Sequence, residues 1–133
     1  MDRAPLRRIL LVEDEIDIQL VARLSLERHD RFEVAIAGSG EEALELARTF
    51  QPQMVLLDVM MPGLDGFGTL AGLRRLPGLA EVPVVFVTAR AQSHEVAEYR
   101  ALGALEVIIK PFDPISLGTL LEEVWQQHLG SGS

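Results

Sequence analysis

Five residues of this chain have the types and the places to do chemistry together: Glu13, Asp14, Asp58, Thr88 and Lys110. Each stands at the end of a short apolar run. Glu13-Asp14 follow Ile9 to Val12, Asp58 follows Met54 to Leu57, Thr88 follows Val84 to Val87, and Lys110 follows Val107 to Ile109. Three carboxylates held close repel one another, and one would keep a proton unless a cation intervened. A hard divalent cation such as Mg2+ takes oxygen ligands and uses one or two carboxylates, leaving places for water and phosphate. It would bring a phosphoryl group to Asp58, whose carboxylate can act as a nucleophile and form an aspartyl-phosphate. Thr88 and Lys110 would donate to the phosphoryl oxygens as charge spreads over them.

Lys110 stands out by composition as well. Of the 12 Lys and Arg residues, eleven are Arg and Lys110 is the one Lys. A compact ammonium on a flexible stem is not equivalent to a planar guanidinium, so a lysine kept at a strand end points to a site that needs the compact form. A cis Lys110-Pro111 bond is expected, because a sharp turn there would aim the ammonium into the crevice.

These residues meet only if the runs before them are strands of one sheet. The runs at 9–12, 34–37, 54–57, 84–87 and 107–109 do not alternate with polar residues, as expected of parallel strands covered on both faces. Helical patterns separate them. Ile16, Leu20, Val21 and Leu24 form the expected inward face of the first helix, with Asp14 as its cap. Ser39-Gly40-Glu41-Glu42 reads as a capping box for the second helix, which buries Ala43, Leu44 and Ala47 and ends at Pro52. A third, weakened by Gly68 and Gly72, spans about 66–76 before Pro77-Gly78. A fourth, over about 93–102, presents Val96, Ala97 and Leu102 and ends at Gly103. Asp113-Pro114 is read as the N-cap and first position of a fifth, whose apolar face is Leu117, Leu120, Leu121, Val124 and Trp125. Strand and helix alternate five times, which gives a doubly wound three-layer α/β fold with the strand carboxyl ends along one edge.

The 133 residues suit a single domain, with 48% hydrophobic and 24% charged residues. A net charge of −8 argues against direct binding to nucleic acid or anionic membrane. The absence of cysteine excludes disulfides and thiolate sites. No apolar run reaches the ~18–20 residues that a membrane span needs, and a cytoplasmic protein is expected. Residues 1–7 read as an N-terminal extension, 8–129 as the domain, and Gly130-Ser131-Gly132-Ser133 as a flexible tail. His29, His94 and His128 lie on polar stretches without metal-ligand spacing and are expected in solvent, Asp65-Gly66 reads as turn chemistry, and Gly38-Ser39-Gly40 lacks the lysine of a phosphate loop.

Together, Glu13-Asp14, Asp58 before Met60-Met61-Pro62-Gly63, Thr88-Ala89 and Lys110-Pro111-Phe112 resemble the receiver domain of two-component response regulators, over about residues 8–128. The resemblance implies a flavodoxin-like (βα)5 sandwich with strand order 2-1-3-4-5. It implies that Asp58 takes a phosphoryl group from the histidine of a sensor kinase or phosphotransfer protein, and that the domain is a switch rather than an enzyme. Glu13, Asp14, Asp58 and the Met60 carbonyl would hold Mg2+, and Thr88 and Lys110 would bind the phosphoryl group. Met60, which offers no acid-base group, and Arg90 occupy positions that influence dephosphorylation in the family; Arg90 would shield the phosphoryl group from water or simply lie in solvent, and the solvated reading is favoured. The fourth helix, fifth strand and fifth helix would form the face that changes, meets partners and could pair two copies.

One position departs from the pattern. Where the family carries Tyr or Phe three residues before the lysine, this chain has Val107. Val107 is too small to swing inward behind the Thr88 hydroxyl, so readout is expected to run through the loop at 88–90 instead. The competing readings are a pseudo-receiver that only binds protein, an aspartyl-phosphate hydrolase and a flavin binder. The hydrolase would place an acid-base Asp where Met60 stands. The flavin binder would not place Glu13-Asp14 where a phosphate must sit.

Overall fold

The computed structural model describes residues 4–89 and 92–131. Five strands lie parallel in one sheet: β1 (Arg8–Val12), β2 (Glu33–Ala37), β3 (Met54–Asp58), β4 (Val84–Thr88) and β5 (Glu106–Ile109), in the order β2-β1-β3-β4-β5. Five helices alternate with them: α1 (Ile16–Glu27), α2 (Gly40–Phe50), α3 (Gly66–Arg74), α4 (Ser93–Ala101) and α5 (Leu117–Ser131).

The apolar runs are unbroken because each central strand is buried on both sides. Leu10, Val12, Val55, Leu57, Val84 and Phe86 face a core closed by Ala43 and Ala47 of α2, Leu70 and Leu73 of α3, and Tyr99 of α4. Ile9, Leu11, Met54, Leu56, Val85 and Val87 face a second core closed by Ala22 and Leu26 of α1 and Leu117, Leu121, Val124 and Trp125 of α5. The chain before β1 belongs to that second core. Leu6 is buried in it, and the Trp125 indole N–H donates to the Ala4 carbonyl at 2.9 Å, which gives a buried polar edge its partner.

Three helices differ from the sequence expectation. On α1, Ile16, Leu20, Val21 and Leu24 are exposed, and Ala22, Ser25 and Leu26 face the core instead. The helix carries two apolar stripes, and the one made of smaller residues fits against the sheet. Asp14 does not cap it. Glu15 is the N-cap and makes no side-chain capping bond. The apolar face of α4 is also different: Leu102 is exposed and Tyr99 is its buried residue. Finally, α5 starts at Leu117, because Asp113 accepts from the Ile115 N–H at 2.9 Å and closes a turn ahead of the helix. In α3 the helix-weakening Gly72 has a packing use. A Cβ there would stand 2.7 Å from Leu44 Cδ1, so glycine permits the close approach of α3 to α2.

Candidate functional site

Register brings the strand ends level. Val12 lies opposite Leu57, Asp58 opposite Val87, and Thr88 opposite Ile109, so the next residue of β1 and β5 opens onto the same crevice. Glu13, Asp58 and Thr88 are buried there at 1%, 3% and 0% exposure. Lys110 reaches in from the end of β5, with Nζ 2.9 Å from Glu13 Oε1 and 3.3 Å from Asp58 Oδ2. Its backbone N–H bonds the Thr88 carbonyl at 2.9 Å, and the Lys110-Pro111 peptide bond is cis.

Each carboxylate is held by the backbone around it. Asp58 Oδ1 accepts from the Met60 N–H at 3.1 Å, and Glu13 Oε2 accepts from the Glu15 N–H at 3.1 Å. Gln19 of α1 donates to the Glu13 carbonyl at 2.6 Å, a positioning contact with no sequence signal of its own. The loop after β3 returns through Gly66, whose N–H bonds the Val59 carbonyl at 3.1 Å. A Cβ on Gly66 would stand 2.6 Å from the Asp58 carbonyl oxygen, so glycine is required for this close return. Asp65, expected as turn chemistry, caps α3 by accepting from the Gly68 N–H at 2.9 Å.

The electrostatics are those of crowded acids around one base. Burial, with Asp58 adding to it, pushes the Glu13 carboxyl from 4.5 up to about 7 against the opposing pull of Lys110. Burial likewise raises Asp58, although Lys110 and the Met60 N–H oppose it. Burial alone would lower Lys110, but Glu13 and Asp58 outweigh it and raise the ammonium above its ordinary value.

One ligand atom each from Glu13, Asp14 and Asp58 lies within 4.8 Å of the others. Asp14 Oδ1 is buried and has no hydrogen-bond partner. A buried carboxylate oxygen without a donor costs free energy. A divalent cation would supply its missing partner and relieve the repulsion, so the donor set suits Mg2+ chemistry.

The remaining sequence-predicted residues fall as follows. Met60 brings its N–H to Asp58 while its side chain is exposed. Arg90 lies outside the described residues. Val107 is half-buried against the core closed by α2, α3 and α4. His29 is not solvated as expected. It stacks on Phe32 and places Nδ1 3.5 Å from Glu122 Oε1, between α1 and α5.

The sequence model of the response regulator receiver domain matches residues 9–122. The chain belongs to this family. Its members are signalling regulators of two-component systems rather than classical enzymes. Among curated relatives, a probable transcriptional regulator ycf27 of Cyanophora paradoxa is 39% identical over 84% of this chain and 45% of its own length. The transcriptional regulatory protein CseB of Streptomyces coelicolor is 38% identical over 93% of this chain and 52% of its own. The receiver chain thus spans about half the length of these relatives. Among solved structures, the chemotaxis protein CheY4 of Vibrio cholerae superposes with a TM-score of 0.82 at 28% identity, covering 90% of this chain and 98% of that one. A CheY-like receiver domain protein from Methanospirillum hungatei gives a TM-score of 0.80 at 25% identity, covering 95% and 98%. Among the described residues, no helix is long and apolar enough to cross a membrane.

Proposed function

We propose that this receiver domain is a phosphorylation-controlled switch in which Asp58 accepts a phosphoryl group from the phosphohistidine of a sensor kinase or phosphotransfer protein. The observation that carries this reading is the lone lysine set between two buried carboxylates, beside an acid whose inner oxygen has no protein partner. An Asp58 carboxylate oxygen attacks phosphorus, the P–N bond breaks, and its electron pair leaves on the imidazole nitrogen. Lys110 favours the ionised form of Asp58 against the effect of burial and then donates to the phosphoryl oxygens, with Thr88 as a second donor. Glu13, Asp14, Asp58 and the Met60 carbonyl would hold Mg2+, which supplies positive charge that the crowded carboxylates and the phosphoryl group both need.

The donor reaches Asp58 past the first turns of α1. There an open groove of about 420 Å³ is lined by Asp17, Ile18 and Val21 of α1 together with Ala89, Lys110 and Phe112. An apolar seat beside the crevice suits a protein donor better than a small phosphate ester. On the output side, the α4-β5-α5 face would change on phosphorylation and meet a partner protein or a second copy. The net charge of −8 keeps nucleic acid off this domain, so any DNA contact of a longer protein would lie elsewhere. A hydrolase reading finds no acid-base group at Met60, and a cytoplasmic setting follows from the kinase partner.

The test is incubation with a small phosphodonor and Mg2+, read by intact mass. One added phosphate, absent from Asp58→Asn, is the expected result. No mass gain in a chain that still binds Mg2+ would instead identify a pseudo-receiver.

A further inference from the structure

Val107 leaves β5 without a ring where the family carries one, yet the space beside it is aromatic. Tyr99 of α4 is 6% exposed. Its ring lies 5.6 Å from Phe86 at 74° and 6.0 Å from Phe67. Phe67 and Phe86 are themselves 5.9 Å apart at 72°. Three rings from α3, β4 and α4 therefore close a triangle. Phe86 pairs with Val107 across β4 and β5, and Val107 packs on the same core.

Two rings of the triangle are tied to the phosphoacceptor crevice. Phe67 follows Gly66, the residue whose backbone lies against Asp58 and Val59. Phe86 stands two residues before Thr88, on the same face of β4. The third ring is tied to α4, and Tyr99 is the one buried residue of that helix. The other helices on this face differ: α2 buries Ala43 and Ala47, and α3 buries Thr69, Leu70 and Leu73. The position of α4 thus depends on one ring.

We propose that Tyr99 is the aromatic through which phosphorylation of Asp58 reaches α4, so that the reporting ring comes from the helix rather than from β5. This rests on Asp58 being the phosphoacceptor. When the Thr88 hydroxyl turns toward a phosphoryl group, the volume beside Phe86 changes. A close-packed interior does not leave such a change unfilled, and edge-to-face rings repack between discrete arrangements. The Val107 side chain cannot fill it, whereas Tyr99 can. Any shift of Tyr99 carries α4 with it.

The experiment compares wild type, Tyr99→Leu, and Tyr99→Leu with Val107→Tyr, before and after treatment with a small phosphodonor and Mg2+. Intact mass reports phosphate on Asp58, and NMR reports the amides of 58–60, 88 and 93–109 together with the Tyr99 ring signals. The expected result is phosphate on all three proteins. The α4 amide shifts should be present in wild type, lost in Tyr99→Leu while those at 58–60 persist, and restored when Val107→Tyr returns a ring to the crevice. Tyr99→Leu with wild-type shifts in α4 overturns the proposal alone. So do unmoved Tyr99 ring signals in phosphorylated wild type, a measurement that needs no variant to fold. A wild type that gains no phosphate overturns the phosphoacceptor reading, and this one with it.

Discussion

The two edges of the sheet use polar groups in opposite ways. At the amino edge, Gln53 Oε1 accepts from the N–H groups of Arg7 and Arg8 at 2.7 and 2.8 Å, and its Nε2 donates to the Pro5 carbonyl at 3.1 Å. Arg8 Nε donates to the Gln51 carbonyl at 2.9 Å, and the Gln51 amide donates to the Arg48 and Pro77 carbonyls. Donor meets acceptor throughout, and the result is a closed seam. At the carboxyl edge, Glu13 and Asp58 are buried beside each other, Asp14 keeps an unsatisfied oxygen, and Lys110 is shared between two acids. The first edge contributes to stability. The second retains unfavourable electrostatics that Lys110 offsets in part and a divalent cation would relieve further.

Substitutions that act on one edge and spare the other test this contrast. Lys110→Met leaves two buried carboxylates without a counter-charge and should cost about 3 kcal/mol at pH 8. The cost should shrink at pH 5, where the acids take up protons; equal losses in urea denaturation at both pH values would break the comparison.

Glu13 supplies the next effect. Its carboxyl titrates at about 7 in the fold against an ordinary 4.5, so between these values the native chain holds a proton that the unfolded chain has released. Stability from this group is therefore fully present below pH 4.5 and is lost as pH rises to 7, by on the order of 2–3 kcal/mol without divalent ions. Glu13→Gln should flatten that slope in denaturant titrations, and an unchanged slope would remove Glu13 from the account.

Gly66→Ala drives a methyl group against the Asp58 and Val59 backbone, with an expected cost of about 2 kcal/mol. Phosphate uptake from a small donor should slow as well; full-rate uptake would show that the loop can yield without disturbing Asp58. The smallest change is expected at the other edge. Gln53→Ala unpairs two N–H groups near the surface, should cost about 1 kcal/mol, and should leave the uptake rate untouched. A slowed rate there would mean that the two edges are coupled.

What the sequence made legible follows from burial. The five strands were readable because both faces are covered, which leaves unbroken aliphatic runs and sets Asp58, Thr88 and Lys110 at their ends. Features with two physical uses were misread. An acid at the start of a helix can serve as a cap or as a metal ligand; Asp14 is not the cap, and one of its oxygens lies within 4.8 Å of ligand atoms of Glu13 and Asp58. Asp113-Pro114 carries an N-cap signature but closes a turn. His29 stands on a polar stretch, and only the packing of α1 on α5 brings Glu122 to it. The burial of Tyr99 was not legible either, since one ring in a short helix has no periodicity.

The two apolar stripes of α1 have a consequence for folding. Ile16, Leu20 and Leu24 carry more apolar surface than Ala22 and Leu26, so hydrophobicity alone does not select the face that docks. The close fit of the smaller residues against the sheet favours the observed face, and polar contacts that exist in a single register add to it: Gln19 on the Glu13 carbonyl and the Ser25 hydroxyl on the Pro114 carbonyl. In this helix, shape fit and hydrogen bonds worth little individually agree on one orientation, which is the local consistency that keeps a folding landscape free of competing states.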